Sequence, residues 1–233
     1  MSRRSRRARK SSRRNLYLGV AVLVILVVSV GGFYAYDARG GSSATTSSQS
    51  SITSSSASPE YAVLDTSQGT IVIQLFPQDA PKTVANFVSL ANSGFYDDLV
   101  WHRIVAGFII QTGDPNTKGG GGNESTWGQG GSGKTIPFEN SGLPEGAGYV
   151  AMANTSPQGA GASSQFFINL VNNTSSLGSG YAVFGLVVQG MNVVQLLGSL
   201  PVAPSCASSG GLTCPPANPS EALLIGVTIQ STP

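Results

Sequence analysis

The chain has 233 residues, of which 40% are hydrophobic, only 10% are charged and 30 are glycine. That length fits one domain plus extensions, and the balance suits a compact, turn-rich β domain better than a helical bundle. A single histidine, His102, leaves too few titratable groups for most hydrolytic mechanisms.

The net charge of +2 hides an asymmetry, because eight of the thirteen basic residues lie within residues 1–14. From Glu60 onward, four basic residues (Lys82, Arg103, Lys118, Lys134) stand against ten acidic ones, so this part is acidic, with a net charge of −6. A basic head alone would fit nucleic acid, but residues 15–36 follow it without a charge, around Val20-Ala21-Val22-Leu23-Val24-Ile25-Leu26-Val27-Val28. About twenty apolar residues cross the hydrocarbon core, so residues 15–36 are expected to form a transmembrane anchor. Residues 1–14 should stay cytoplasmic and the C-terminal bulk should lie outside the cell membrane. A cleaved signal peptide fits less well, since the apolar run is long and no clear A-x-A site follows. Ser12-Arg13-Arg14-Asn15-Leu16 has a loose twin-arginine look, which chance explains in so arginine-rich a head. Residues 37–59 are rich in Ser, Thr and Gly and are expected to be a flexible tether spanning roughly 25 Å.

Residues 60–233 form the expected domain. Tyr61–Asp65 and Thr70–Leu75 read as strands around a hairpin at Ser67-Gln68-Gly69. Asp79-Ala80-Pro81 starts a helix, with Asp79 as the cap candidate. Its face is Val84, Phe87, Val88 and Ala91, and Gly94 ends it. Leu99–Ile104 and Phe108–Thr112 are the next strands, and Gly113–Lys134 is a glycine-rich loop. Gly148–Ala153, Gln165–Leu170, Val183–Val188 and Leu223–Gln230 read as further strands, with a second short helix at Gly190–Leu197. Eight strands with little helix predict a mostly β fold, a closed eight-stranded antiparallel barrel with two helices covering its ends.

Within this pattern, Arg103, Phe108 and Gln111 come from two short apolar runs around a glycine-containing bend. A guanidinium, an aromatic wall and an amide suit a site that holds a peptide group rather than cuts it. Arg103 could equally pair with an acid such as Asp114 on the surface, and phenylalanines in strands are core by default. Cys206 and Cys214 lie near the C-terminus in a Ser/Gly/Pro-rich segment, where a disulfide is expected outside the membrane, contributing about 2–3 kcal/mol. Two cysteines and one distant histidine do not supply the four ligands of a metal site. Gly128-Gln129-Gly130-Gly131-Ser132-Gly133-Lys134-Thr135 fits the phosphate-loop pattern. Its context excludes that reading: no apolar strand leads in, and Pro137 falls where a helix should run.

Several separated motifs are similar to those of the cyclophilin-type peptidyl-prolyl cis-trans isomerases, across about residues 60–230. They are Trp101-His102-Arg103-Ile104, Gly107-Phe108, Gln111-Thr112-Gly113-Asp114, Ala151-Met152-Ala153-Asn154, Ser164-Gln165-Phe166-Phe167-Ile168-Asn169, Val183-Phe184-Gly185 and Gly190-Met191. The resemblance implies an eight-stranded barrel, no cofactor, and a groove that binds X-Pro peptides. It implies that Arg103 is the catalytic arginine and that Gln111 orients it. Phe108 and Phe167 match the walls of the proline pocket, with Ile109 where the family usually has methionine. Ala153, Asn154 and Thr155 match the strip that pairs with substrate backbone, and Leu177 and Tyr181 match the pocket edge. Two departures stand out: Tyr181 replaces a frequent histidine, and Ser176 or a neighbour stands where the rim tryptophan is common. The segment between Cys206 and Cys214 resembles an insertion before the last strand.

The expected activity is therefore rotation of X-Pro bonds in proteins that fold after export, by a monomer held at the membrane in a bacterial cell, with no nucleic acid bound. A non-catalytic, membrane-tethered holder of proline peptides would share the same pocket.

Overall fold

The computed structural model describes residues 60–154, 158, 159, 161–208 and 214–233. The expected basic head (1–14), transmembrane span (15–36), linker (37–59) and the substrate-strip residue Thr155 lie outside the described residues. Among the described residues no helix is long and apolar enough to cross a membrane.

The hairpin forms as its alternation dictates. β1 (Tyr61–Thr66) pairs with β2 (Gly69–Leu75), turning Ala62, Leu64, Ile71, Ile73 and Leu75 inward. α1 (Pro81–Asn92) starts at its proline and buries Thr83, Val84, Phe87 and Ala91, while Val88 packs at the margin. Its cap is not Asp79. The carboxylate of Glu139, far along the chain, accepts from the backbone N–H of Lys82 (3.1 Å) and Thr83 (2.7 Å). Those orphan donors are thus satisfied by a tertiary contact rather than a local one.

The remaining strands are β3 (Leu99–Val100), β4 (Arg103–Val105), β5 (Ile109–Thr112), β6 (Tyr149–Met152), β7 (Phe166–Asn169), β8 (Ala182–Gln189) and β9 (Leu223–Gln230). They make one curled antiparallel sheet of nine strands in the order β3-β9-β1-β2-β8-β6-β7-β5-β4. The expected closed barrel of eight strands is instead an open curl of nine: among the described residues no ladder joins β3 to β4, and one anticipated strand, Leu99–Ile104, is split. Its first half pairs with β9, its second half with β5, and Trp101-His102 carries the chain between the two ends of the sheet. Among the described residues there are four α-helices rather than the two expected in this domain: α1, the single turn α2 (Thr174–Leu177), α3 (Met191–Gly198) and the single turn α4 (Ser205–Ser208). α1 packs on β9 and β8, and α3 on β2, β4 and β5.

The core lies inside the curl. Phe87, Tyr96, Trp101, Phe166 and Phe184 are each 0% exposed, and Phe87 sits 5.2–5.4 Å from the rings of Tyr96, Phe166 and Phe184. Such tilted and edge-on contacts stabilise beyond the area they bury.

Candidate active site

The site is a row of side chains across one face of the sheet. Register aligns Arg103 on β4 with Gln111 on β5, Gln111 with Phe167 on β7, Phe167 with Ala151 on β6, and Ala151 with Val183 on β8. Because side chains alternate along a strand, all five point away from the core while Ile104, Ile110, Phe166, Val150 and Met152 point into it. Ile109 lies two residues from Gln111 and so joins the outer row.

Around this row a second apolar cluster forms, separate from the main core. Its buried members are Ile109, Ala151, Phe167 and Val183, with Phe108, Leu143, Tyr149, Ala153, Leu177 and Tyr181 partly exposed at its rim. Six of the eight expected substrate-binding residues (Phe108, Ile109, Ala153, Phe167, Leu177 and Tyr181) therefore meet in one place. Tyr181 stands edge-on to Phe167 at 5.2 Å. Asn154 lies beyond the end of β6, its amide donating to the carbonyl of Gly180 at 3.3 Å. Sequence reasoning did not single out Leu143, which lies outside the regular elements, or Tyr149, which it read only as part of a strand.

The polar end is organised by glutamines. An Arg103 N–H donates to Gln111 Oε1 at a long 3.4 Å, and Gln111 Nε2 donates to Gln165 Oε1 at 2.8 Å. Gln165 is in turn fixed by donating to the carbonyls of Gly128 (3.0 Å) and Gly130 (2.7 Å). Its positioning role was not legible, since nothing in Ser164-Gln165 marks which backbone it will reach. Gly113 lets the loop after β5 come this close: its φ is +90°, and a Cβ there would collide with the carbonyl of Ser164.

Arg103 is half-buried, and burial lowers its pKa while Tyr181 acts in the opposite sense. An arginine remains charged through such a change. The expected alternative partner, Asp114, is buried and used elsewhere, accepting from the backbone N–H of Asn116 (2.8 Å) and Gly130 (3.1 Å). His102 is 4% exposed, and burial pushes its pKa down to about 4 against the pull of Asp114. It is neutral at physiological pH and fits a packed residue of the β3–β4 connection, not the strand residue expected, rather than a proton carrier.

Two clefts flank Gln111. One, of about 770 Å³, is lined by His102, Arg103, Trp127, Tyr181, Ser205 and Pro215. The other, of about 510 Å³, runs past Gln129, Lys134, Asn154 and Gln165. Its glycine-rich wall includes the phosphate-loop look-alike, which has no helix after it: Ile136 instead bridges to Ala162. The Cys206–Cys214 disulfide is formed, and the Cys214 carbonyl accepts from Ile104 N–H at 2.8 Å, tying this segment to the strand of Arg103. Among the described residues no cluster of three or more His, Cys, Asp or Glu side chains could hold a metal ion.

A guanidinium held by an amide beside an apolar cluster with a partly exposed rim is an arrangement that could grip a neutral peptide. The profile of the family "Cyclophilin type peptidyl-prolyl cis-trans isomerase/CLD" matches residues 61–209. The chain belongs to this family. The protein named peptidyl-prolyl cis-trans isomerase-like 1 of Aspergillus fumigatus is 42% identical over 140 residues, covering 58% of this chain and 80% of the relative. Its namesake in Rhizopus delemar is 44% identical, over 60% of this chain and 80% of the relative. Among solved structures, the cyclophilin type peptidyl-prolyl cis-trans isomerase of Cryptosporidium parvum, crystallised in the presence of the dipeptide Ala-Pro, superposes with a TM-score of 0.61. It shares 26% identity and covers 74% of this chain and 99% of that one. Isomerisation of X-Pro bonds is thus the activity of this cyclophilin domain.

Proposed function

We propose that Arg103 is the catalytic residue, held by Gln111, and that the outer apolar cluster takes the proline ring. An X-Pro bond resists rotation by roughly 18–20 kcal/mol because the amide nitrogen lone pair is delocalised. A guanidinium that donates to the prolyl nitrogen localises that lone pair. It therefore favours the twisted state over both planar ones, which is differential binding of the transition state. Phe108, Ile109 and Phe167 wall the pocket, with Leu177 and Tyr181 at its edge. Low dielectric there strengthens the hydrogen bond. Ala153, Asn154 and Thr155 hold the preceding backbone, so that only one side of the bond turns. No proton moves, which agrees with a neutral, buried His102.

The observation that carries this reading is the row Arg103–Gln111–Phe167, which sets cation, amide and phenyl ring side by side on adjacent strands. Two-dimensional exchange NMR on a short Ala-Pro-containing peptide tests it. Wild type should speed cis–trans exchange and Arg103→Ala should not. Equal, feeble acceleration by both would favour the non-catalytic peptide holder.

The uncharged run at residues 15–36 after a basic head supports a cell-membrane anchor of a bacterial form, with the domain on the outer side and exported, unfolded chains as its clients. Protease treatment of intact cells should remove residues 60–233 and leave an N-terminal stub in the membrane fraction; full protection would reject this placement.

A further inference from the structure

Beneath the pocket lies a buried acid that the mechanism above does not use. Glu145 is 0% exposed. Its Oε2 accepts from Asn169 Nδ2 at 2.7 Å, and its backbone carbonyl accepts from Asn173 N–H at 2.8 Å. Asn169 Oδ1 in turn accepts from Asn173 Nδ2 at 2.7 Å. That same Asn173 amide donates to the carbonyl of Phe108 at 2.9 Å. The Asn173 carbonyl also accepts from Ser176 and Leu177, both at 2.9 Å, fixing the turn α2 that carries Leu177. One carboxylate thus reaches, through two asparagines, both Phe108 and Leu177.

We infer that Glu145 is a positioning residue for substrate binding, bracing Phe108 and α2 so that the proline pocket keeps its width. The inference rests on Phe108 and Leu177 being pocket walls, as proposed above. The geometry favours a brace over an ordinary core polar group for three reasons. The chain of bonds gives the Phe108 segment and α2 a shared side-chain link, added to the backbone bond by which Leu170 N–H holds the Phe108 carbonyl at 2.9 Å. Asn173 Nδ2 spends both of its hydrogens on it, one on Asn169 and one on Phe108. The other carboxylate oxygen, Oε1, is buried without a hydrogen-bond partner, so Glu145 is held from one side only and its hold depends on its charge.

Burial raises the Glu145 pKa to about 7, and the Asn169 bond lowers it. The groups that bond to Glu145 or to the Asn169 side chain are Asn173 and, on β6, the carbonyl of Tyr149, whose phenol is the titratable group on that strand. The ionised form makes the stronger bond to Asn169, so the brace tightens as pH rises through 7.

The test is isomerisation of a short X-Pro peptide by the full chain, with KM and kcat resolved. Glu145→Ala should raise KM about tenfold and leave kcat within about twofold, since a loosened pocket binds both planar states and the twisted state less well. Asn173→Ala should do the same, and the double variant should be no worse than either single one, because both cut one chain. Wild-type KM should fall from pH 6 to 8, and Glu145→Gln, which cannot ionise, should flatten that profile near the wild-type value at pH 6. Should Glu145→Ala fail to fold, the Glu145→Gln profile decides: a slope like wild type overturns the inference. Phe108→Ala is the control. If it leaves KM unchanged, the pocket assignment itself fails; if it raises KM while Glu145→Ala and Asn173→Ala do not, the brace alone is wrong.

Discussion

The inner and outer faces of strands β4 to β7 are built from alternate residues of the same short segments, and they end in different states. On the inner face Ile104, Ile110, Val150, Phe166 and Ile168 are at most 1% exposed. On the outer face Phe167 and Ile109 are each 3% exposed but meet Phe108, Ala153, Leu177 and Tyr181, which stay partly open to solvent. The inner face has partners on every side from α1, β9 and the aromatic cluster. The outer face has an apolar floor and an incomplete rim, and that opening is where the proposed substrate would sit. Stability is thus concentrated on one side of the strand and binding capacity on the other.

Adjacent residues give the strongest way to break this contrast. Phe166→Ala should destabilise the fold by about 3–5 kcal/mol in urea unfolding, as expected for a fully buried ring. Phe108→Ala, at the open rim, should cost less than about 1.5 kcal/mol and show instead as a raised KM. Equal losses of stability from both would mean that the outer cluster is ordinary core. Arg103→Ala sharpens the same contrast at the polar end. It should lower kcat/KM by roughly 10²–10³-fold with the unfolding midpoint nearly unchanged, and Arg103→Lys should fail to restore the rate because a lysine lacks the fixed donor fork.

Two buried titratable groups near the outer face pull stability in opposite directions. Glu145 is raised from 4.5 to about 7, so the folded chain keeps a proton that the unfolded chain releases, and stability falls as pH rises across that window. His102 is lowered from 6.5 to about 4, so the unfolded chain takes up a proton first, and stability is lost as pH falls from 6.5 to 4. Each slope is worth about 3 kcal/mol in full, and between pH 4.5 and 6.5 they offset each other. Glu145→Gln should therefore leave stability that rises with pH, and His102→Gln stability that falls with it. Urea midpoints measured at half-unit steps check both; parallel profiles for the two variants would contradict the burial of one of them.

The fold was largely readable because alternation is a local property. The strands near 61–75, 99–112, 149–152, 166–169, 182–189 and 223–230 are all present, and so are helices α1 and α3. The split of Leu99–Ile104 was not readable, since nothing local says that its two halves pair with different neighbours. Six pocket residues were reached through motif resemblance; the row that unites Arg103, Gln111 and Phe167 needs strand order, which one sequence does not contain. Gln165, Asn169 and Asn173 act through partners across the fold, and polar residues in turns give no sign of such contacts. Glu145, in Leu143-Pro144-Glu145-Gly146, reads as an exposed turn acid, and only its burial marks it as something else.

The smallest expected effect concerns the cap of α1, the helix that covers the finished face. A local reading gives the cap to Asp79, three residues before the first free amides. In the fold Glu139 reaches those amides instead, and also accepts from the Thr83 hydroxyl at 2.8 Å. A carboxylate at this end satisfies orphan N–H donors and faces the positive pole of the helix. Glu139→Ala should cost about 1 kcal/mol, the usual worth of a cap, and should speed hydrogen exchange at the Lys82 and Thr83 amides. Asp79→Ala should change stability by less than about 0.5 kcal/mol, because Asp79 is exposed and caps nothing. The two variants separate a cap chosen by sequence proximity from one supplied by tertiary structure. If their costs were exchanged, the loop bearing Glu139 would not be docked on α1 in solution.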